Sequence, residues 1–421
     1  MQLLLLAVLS MVLLGLLVTT SVLYPFVRIA PVKTSLDFEV LHEEALEQSA
    51  TVQTDTIKAE DIGIGIYEDS QSEENTQKSD AVTAVVDEKA KWLEKEYVLD
   101  TASKDEIVLA FGGDILFDDG YSVMISYLNG GEVLEDFISK DLLEQMRQAD
   151  LFMLNNEFTY TDRGEPITDK TYTFRADPQH VSLLAEMGVD MVSLANNHAY
   201  DYGEISLLDT LDTLWQARIP YAGAGVNLEE ASKPACFEAN GMKIAIVAAT
   251  QIERLDSPDT KGATIDSPGV FRCWNPDKLL ETIAEADKES DFVVVYVHWG
   301  SENTTQIDWA QTDQARDYVA AGADLIIGDH PHCLQMIDYI EGVPVIYSLG
   351  NFWFNSKTID TGLLKVKIDQ TGISKLEFLP CIQNNCRTSL LSGSEKQRVI
   401  DYMQSLSPNI VIDSDGIIQK K

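Results

Sequence analysis

Two histidines end the segment Ala323-Asp324-Leu325-Ile326-Ile327-Gly328-Asp329-His330-Pro331-His332, directly after an apolar run of strand length. We expect that run to form a strand and both imidazoles to project from the loop at its C-terminal end. Open α/β sheets place their ligands at such ends. Pro331 stiffens the loop by fixing its own φ, so both imidazoles can point at a single locus. Because neutral imidazole is the commonest metal ligand among side chains, the segment predicts a metal site.

The other histidines support this interpretation. An isolated His-x-His pair is more often two surface histidines beside a turn. This chain has only six histidines, however, and four of them lie just after apolar runs of strand length, namely His198, His298, His330 and His332. The repetition favours a shared site over unrelated surface positions.

One pattern occurs four times in the chain: a helical segment, an aspartate, an apolar run and a polar motif. The aspartates of the four repeats are Asp150, Asp190, Asp291 and Asp324. Continuous apolar runs separated by helices are typical of buried strands in an α/β domain. One predicted helix spans residues 204–217, and a closing helix is predicted at 395–405. The pattern therefore predicts polar strand ends collected at one edge of a sheet.

The composition excludes one class of partner. The 421 residues include 31 Lys and Arg against 68 Asp and Glu, a net charge of −37. Nucleic acid is not expected as a partner, because binding phosphates needs a basic surface. The hydrophobic content of 45% fits a globular protein with ample material for a core.

The N-terminus predicts a membrane anchor. Residues Gln2 to Val27 carry no charge, and this run is long enough to span a bilayer. It lacks a clear small-x-small cleavage site, which favours a retained anchor over a cleaved signal peptide. Taken alone, Arg28 and Lys33 would place the following residues in the cytoplasm. The acidic, polar stretch beyond them is expected to be a largely disordered spacer.

The five cysteines show no metal-ligand spacing of the Cys-x-x-Cys kind. In an exported protein Cys381 and Cys386 could close a small loop. Ordinary buried thiols are the favoured interpretation.

The polar residues at the predicted strand ends share a donor chemistry of carboxylate, amide and imidazole. They are Asp114, Asn156, Glu157, Asn197, His198, Asp201, His298, His330 and His332. Oxygen and nitrogen donors without thiolate suit Mn, Fe, Zn or Mg. The set is large enough for two ions, and paired metals can activate a water in phosphoryl transfer.

In order along the chain, seven motifs resemble the CapA type of bacterial capsule-synthesis proteins, which are associated with poly-γ-glutamate. The motifs are Gly113-Asp114, Asn155-Asn156-Glu157, Phe174-Arg175-Ala176-Asp177-Pro178, Asn196-Asn197-His198 with Asp201-Tyr202-Gly203, His298-Trp299-Gly300, His330-Pro331-His332 and Gly350-Asn351-Phe352. The resemblance spans residues 107–380. That family looks related to the calcineurin-like metallophosphoesterases.

The resemblance implies roles for individual residues. The metal ligands it implies are Asp114, Glu157, Asn197, His298, His330 and His332. It implies that His198 is a general acid beside the leaving group, with Asp201 fixing its tautomer. Arg175, Asn156 and Asn351 are the expected substrate-binding residues, since a guanidinium suits phosphate or carboxylate. Against these roles, Asp201 could be a helix cap, and Arg175 and Asn351 could be packing or turn residues.

The chain departs from the family pattern at three positions. Metallophosphoesterases usually begin with Asp-x-His, whereas Asp114-Ile115-Leu116 supplies no imidazole. Glu157 stands where an aspartate is usual. Asn156 replaces an apolar residue common in CapA-type proteins, so either Asn155 or Asn156 could face the site.

The resemblance implies an α/β fold, namely a four-layer αββα sandwich of the metallo-dependent phosphatase type that follows an N-terminal transmembrane helix. The predicted domains are an anchor at 1–27, a spacer at 28–104, the sandwich at 105–390 and a C-terminal helix and tail at 391–421.

The expected protein is a single-pass cell-membrane protein with an extracytoplasmic main domain, acting in poly-γ-glutamate or capsule synthesis through a divalent-metal hydrolase site. An anionic polymer or phosphoester is the expected substrate, and a membrane-bound polymer synthase complex the expected partner. The rival hypothesis is a non-catalytic scaffold or polymer-export subunit that keeps the fold.

Overall fold

The computed structural model describes residues 87–252 and 260–421. The predicted anchor at 1–27 and the predicted spacer as far as residue 86 lie outside these ranges. Within them, no helix combines the length and the apolar character needed to cross a bilayer. Residues Lys91–Lys421 belong to one unit.

Strands and helices alternate along most of the described chain. The strands are β1 (Glu96–Val98), β2 (Ile107–Ile115), β3 (Leu151–Asn156), β4 (Thr159–Tyr160), β5 (Arg175–Ala176), β6 (Met191–Ser193), β7 (Tyr221–Ala222), β8 (Ala224–Gly225), β9 (Ala235–Ala239), β10 (Met242–Thr250), β11 (Gly269–Val270), β12 (Phe292–His298), β13 (Leu325–Asp329), β14 (Ile337–Ile340), β15 (Val343–Ile346), β16 (Asn351–Trp353), β17 (Ile359–Asp369), β18 (Gly372–Asn384), β19 (Arg387–Leu390), β20 (Ile410–Ile412) and β21 (Ile418–Lys420). The α-helices are α1 (Ser122–Asn129), α2 (Lys140–Arg147), α3 (Ser182–Met187), α4 (Glu204–Ala217), α5 (Leu228–Ser232), α6 (Asp277–Glu289), α7 (Trp309–Ala321) and α8 (Gly393–Leu406). The predicted helix at 204–217 agrees with α4.

Two large sheets contain most of these strands. Sheet A has the order β1-β9-β10-β12-β13-β15-β14, and sheet B the order β19-β18-β17-β2-β3-β6-β7, with β16 also paired to β2. Strands β10, β12, β13 and β15 run parallel, as do β2, β3, β6 and β7. The carboxyl ends of each parallel group therefore lie at one edge of its sheet, where α/β proteins bind ligands.

The alternation of side chains along the strands separates the core into layers. In β10, Ile246 packs between the two sheets, whereas Val247 packs on the side of α6 and α7. In β2, Phe111 packs between the sheets and Ala110 on the side of α1, α2 and α3. Continuous apolar runs in these strands thus reflect burial on both faces. The predicted mixed α/β sandwich is confirmed, with helices outside both sheets.

The four aspartates of the repeated pattern connect neighbouring parallel strands. Each carboxylate accepts a hydrogen bond of 2.7 to 2.9 Å from the N–H of the second residue of an adjacent strand. The backbone N–H of the same aspartate donates to the carbonyl of that same residue, at 2.8 or 2.9 Å. The pairs are Asp150 with Val108, Asp190 with Phe152, Asp291 with Lys243 and Asp324 with Val293. These paired bonds set where each strand enters the sheet, and so where its polar end falls.

The ordered domain begins before the predicted boundary at residue 104. Residues 87–93 are helical, and β1 pairs in parallel with β9. Tyr97 packs on Phe237 with ring centroids 5.1 Å apart, and Leu99 is buried. A strand of three residues carries too little apolar pattern to stand out from an acidic stretch.

The C-terminal segment 391–421 is also more ordered than the predicted helix and tail. After α8, strands β20 and β21 pair antiparallel. Ile410, Ile412 and Ile418 join the core between the sheets together with Val399 and Met403 of α8. The last residues therefore contribute to the sandwich.

All five cysteines are free thiols, and Cys273, Cys381 and Cys386 are buried. The expected buried thiols are confirmed for these three positions, and Cys381 and Cys386 form no disulfide.

We predict that Asp324→Ala lowers the free energy of unfolding by about 1–3 kcal/mol, because the Val293 N–H loses its acceptor. Asp324→Asn keeps an acceptor oxygen and should cost less than half as much. Urea unfolding of both variants measures this. Asp313→Ala, an exposed residue of α7, is the control and should stay within about 0.5 kcal/mol of wild type. Equal losses for Asn and Ala at position 324 would contradict the acceptor role.

Candidate metal centre

The ends of β2 and β16 meet because two glycines allow a close backbone approach. A Cβ on Gly113 would lie 1.7 Å from the carbonyl oxygen of Gly350, so no larger residue fits there. The Asp114 N–H donates to that carbonyl at 3.1 Å. Asp114 and Asn351 are consequently paired across the two strands. The Gly-Asp and Gly-Asn motifs thus bring a carboxylate and an amide together.

The two histidines at the end of β13 have an unusual backbone. His330 has φ of 96° and His332 has φ of 55°, in the region that residues other than glycine rarely adopt. Such conformations persist where the surrounding structure over-determines them, often at functional sites. The two rings lie with centroids 5.9 Å apart, as expected for imidazoles that share a locus.

His298, the last residue of β12, is the centre of a first group of donors. Its Nδ1 lies 2.8 Å from Asp329 Oδ1. Its Nε2 lies 2.8 Å from Asn197 Oδ1, 3.1 Å from His330 Nδ1 and 3.5 Å from Glu157 Oε1. Burial lowers the pKa of His298 to about 3 and that of His330 well below its usual range, so both imidazoles are neutral.

This first group fits a cation. If His298 donates its Nδ1 proton to Asp329, its Nε2 lone pair faces the oxygens of Asn197 and Glu157. Glu157 Oε1 is buried and has no hydrogen-bond donor among the described residues. Lone pairs that face one another without donors are unfavourable in a buried site, and a divalent cation between them relieves this. Asn197, Glu157, His298 and His330 are therefore the residues that would hold it.

A second group surrounds His332. Its Nδ1 lies 3.1 Å from Asp114 Oδ2 and 2.8 Å from Asn351 Oδ1. Donor atoms of Asp114, Glu157 and His332 all lie within 4.8 Å of one another. Burial opposes ionisation of Asp114, but its hydrogen bond with His332 prevails and lowers the pKa of the carboxyl. The same contact raises the pKa of His332 against the effect of burial.

Three fully buried carboxylates crowd this region: Asp114, Glu157 and Asp329. Burial, followed by repulsion from Asp114, raises the pKa values of both Glu157 and Asp329 well above their usual range. Divalent cations remove this penalty, and the oxygen and nitrogen donors suit hard or borderline ions. The cluster is therefore compatible with divalent metal binding.

All six predicted metal ligands lie in this cluster. They come from β2 and β12 and from the loops after β3, β6 and β13. Asn351, predicted to bind substrate, contacts His332 instead of lining a separate surface. Leu116, where an imidazole is usual, is buried in the core beside the helices and offers no donor.

His198 forms a second imidazole–carboxylate pair at the edge of the cluster. Its Nδ1 lies 2.6 Å from Asp201 Oδ2, while its Nε2 lies 4.0 Å from Glu157 Oε1. The ring packs on Phe174 with centroids 4.2 Å apart. Asp201 does not cap α4, because Gly203 occupies the N-cap position. Its contacts instead match the predicted partner of His198.

The structure does not bring two of the predicted substrate-binding side chains into the cluster. The Asn156 amide donates to the carbonyl of Phe158 at 2.8 Å. The Arg175 guanidinium lies over the ring of Tyr202, 4.6 Å from its centroid, and its backbone N–H donates to Asp118. Arg175 is nevertheless the next residue after Phe174, whose ring packs on His198. Roles in substrate binding for Asn156 and Arg175 stay predictions.

Sequence reasoning left one residue of the cluster undecided and missed another. Asn155, not Asn156, faces inward: its amide lies 2.9 Å from Asp114 Oδ1 and 3.3 Å from His298 Nδ1. Asp329 holds the far nitrogen of His298. Successive side chains of a strand point to opposite faces of the sheet, so Asn155 and Asn156 had to face different sides. The sequence did not show which of these sides faces the cluster. Asp329 stands directly before His330 at a strand end, which was a signal available in the sequence.

Comparisons with known proteins find relatives that share much of the described chain. The family model for the bacterial capsule synthesis protein PGA_cap matches residues 108–356, which include every predicted site residue. The chain is 31% identical over 305 residues to the PGA biosynthesis protein CapA of Bacillus subtilis, covering 71% of this chain and 78% of that protein. It is 34% identical over 240 residues to the capsule biosynthesis protein CapA of Bacillus anthracis, covering 55% and 57%.

More distant similarities extend to other organisms. A probable polyglutamine synthesis accessory protein of Mycobacterium tuberculosis is 28% identical over 209 residues, which cover 48% of this chain and 55% of that protein. Among solved structures, a putative 5'-nucleotidase from Staphylococcus aureus matches with a TM-score of 0.38 and 15% identity, covering 71% of this chain and 58% of that one. A 5'-nucleotidase from Candida albicans matches with a TM-score of 0.34 and 12% identity, covering 65% and 54%.

We predict that the full chain retains divalent metal after desalting and that His330→Ala weakens metal binding. Removing a residue that only supports a metal ligand typically lowers metal affinity roughly 10- to 100-fold. Because His330→Ala removes a ligand itself, we expect its metal affinity to fall by at least that factor. Elemental analysis and calorimetric titration with Mn²⁺ measure this. The control is His180→Ala, since His180 bonds to Asp119 outside the cluster. Wild-type protein without metal, or equal affinities in the two variants, would contradict the assignment.

Proposed function

The chain belongs to the family of bacterial capsule synthesis proteins, and from this membership we propose that it is an accessory protein of poly-γ-glutamate or capsule synthesis with a divalent-metal hydrolase site. The family gives the process, because its relatives are named for poly-γ-glutamate and capsule biosynthesis. The hydrolase assignment and the classification of the sandwich as metallo-dependent phosphatase type are ours.

One observation carries the hydrolase assignment. Donors from separate strands converge in two groups that share Glu157, beside an imidazole–carboxylate pair that belongs to neither group. A purely structural metal site needs no such imidazole outside the two donor groups. Together, two adjoining donor groups and a separate proton-transfer group favour hydrolysis of an ester or amide that carries an anionic group.

Two divalent ions bound here would activate a water and neutralise charge on the attacking and leaving oxygens. We propose that the ions are Mn, Fe, Zn or Mg. The protein's own contribution is positional. Asp201 accepts a hydrogen bond from the Nδ1–H of His198 and keeps the ring turned so that Nε2 faces the cluster. Once Nε2 has taken up a proton from solvent, the ring can donate that proton to a leaving group.

The substrate we propose is an anionic polymer or phosphoester. A net charge of −37 repels such a molecule at long range, so attraction must be local. Bound metal ions would supply that local positive charge, together with the partly buried Arg175. Asn351 completes the surroundings of His332. The side chain of His332 is 16% exposed, whereas that of its partner Asp114 is fully buried.

We predict that His198→Ala lowers kcat by on the order of 10²- to 10⁴-fold while metal content stays at the wild-type level, because His198 contacts no predicted metal ligand closely. Hydrolysis of bis(4-nitrophenyl) phosphate and of poly-γ-glutamate by the metal-loaded full chain measures this, with His180→Ala as control. If metal-loaded wild type cleaves neither compound, the non-catalytic scaffold replaces the hydrolase. The buried Leu116 would then mark a site that lost a ligand.

We further propose that residues 1–27 anchor the chain in the cell membrane, with the sandwich outside the cytoplasm beside a polymer synthase complex. Protease added to intact cells is expected to digest the sandwich domain, as detected with an antibody against residues 105–390. Survival of that domain until the cells are lysed would show a cytoplasmic location, as Arg28 and Lys33 alone would predict.

A further inference from the structure

A buried cation lies beside the metal cluster in the connection between β4 and β5. The side chain of Lys170 is 5% exposed, although lysine is almost never buried without a partner. Its Nζ lies 2.5 Å from Asp201 Oδ1 and also donates to the backbone carbonyl of Asn197. Lys170 thus contacts both the partner of His198 and a predicted metal ligand.

Three groups hold the carboxylate of Asp201. Oδ2 accepts a hydrogen bond from His198 Nδ1 and a second one, at 2.7 Å, from the backbone N–H of Phe174. Oδ1 faces Lys170. The Asp201 side chain is fully buried, so water cannot replace a lost donor. The direction in which this carboxylate points, and with it the plane of the His198 ring, therefore depends on Lys170.

We propose that Lys170 is a positioning residue for the proton-transfer pair. It holds Asp201 so that the Nδ1–H of His198 keeps its hydrogen bond to the carboxylate and Nε2 keeps facing the cluster. It also bonds to the carbonyl of Asn197, in the loop that carries His198 and Asp201. The Lys170 ammonium thereby keeps the general acid at a constant distance from the metal cluster. This inference rests on the role proposed for His198 as the proton donor.

A structural ion pair would show different behaviour. Loss of a buried ion pair lowers stability wherever the pair lies, whereas a positioning residue also changes the state of the group it positions. Lys95 provides the matched comparison. It is likewise a buried lysine, its Nζ donates to the carbonyl of Glu230 at 2.9 Å, and it lies outside the cluster. Lys95→Met removes a buried ammonium without touching Asp201.

The test is nuclear magnetic resonance of the full chain labelled with ¹⁵N-histidine and treated with EDTA, which needs neither metal nor activity. Six histidines give few enough signals to assign each one by substitution. We expect the His198 nitrogens to show a single Nδ1–H tautomer in wild type and Lys170→Arg. Lys170→Met should shift them toward mixed tautomers, whereas Lys95→Met should leave them unchanged. Wild-type His198 signals in Lys170→Met would overturn the proposal.

A kinetic measurement separates this proposal from the proposed function. With bis(4-nitrophenyl) phosphate and the metal-loaded full chain, Lys170→Met should lower kcat by roughly 10- to 100-fold, with KM and metal content near wild type. Lys170→Arg should recover most of the loss. Should no form cleave the probe, the hydrolase assignment fails while the resonance data still decide whether Lys170 positions His198. A raised KM with unchanged kcat would also overturn the positioning role.

Discussion

Repulsion among three buried carboxylates is the constraint on which the site depends. Asp114, Glu157 and Asp329 lie in one cluster with no exposure to solvent, and the neutral imidazoles of His298 and His330 cannot compensate their charge. Such a cluster is unfavourable unless protons or cations enter it. The strained backbone at His330 and His332 adds a further cost of about 1–3 kcal/mol for each residue. Both features are therefore compatible with a divalent cation bound among these donors.

The same pairing of an imidazole with a buried carboxylate occurs twice around this cluster. His298 and His198 each direct Nδ1 toward a buried carboxylate and Nε2 toward the site. A carboxylate on one ring nitrogen sets the tautomer and orientation of the imidazole, leaving the other nitrogen for its task. The difference lies in what Nε2 faces. At His298 it faces ligand atoms at 2.8 to 3.5 Å, whereas at His198 the nearest such carboxylate oxygen is 4.0 Å away. One geometry suits metal ligation, and the other suits proton transfer.

The scaffold supplies the accuracy that this arrangement needs. Each aspartate of the repeated pattern forms two hydrogen bonds with one residue of a neighbouring parallel strand. These bonds set the register of the two strands. Gly113 then lets the chain at Gly350 approach within contact of the end of β2. Ligands that are distant in sequence therefore reach fixed positions without relying on long flexible loops.

The sequence by itself determined the α/β class, the strand ends that carry donors and the chemical type of those donors. These features are local: an apolar run predicts a buried strand, and the residue after it must lie at the end of that strand. Only the tertiary structure decided that Asn155 faces inward, that Asp329 supports His298 and that Lys170 reaches Asp201. It also showed that β1 and the last strands belong to the core. Such contacts join residues 31 or more positions apart, as for His298 with Asp329, and no pattern within a segment encodes which distant side chain it will meet.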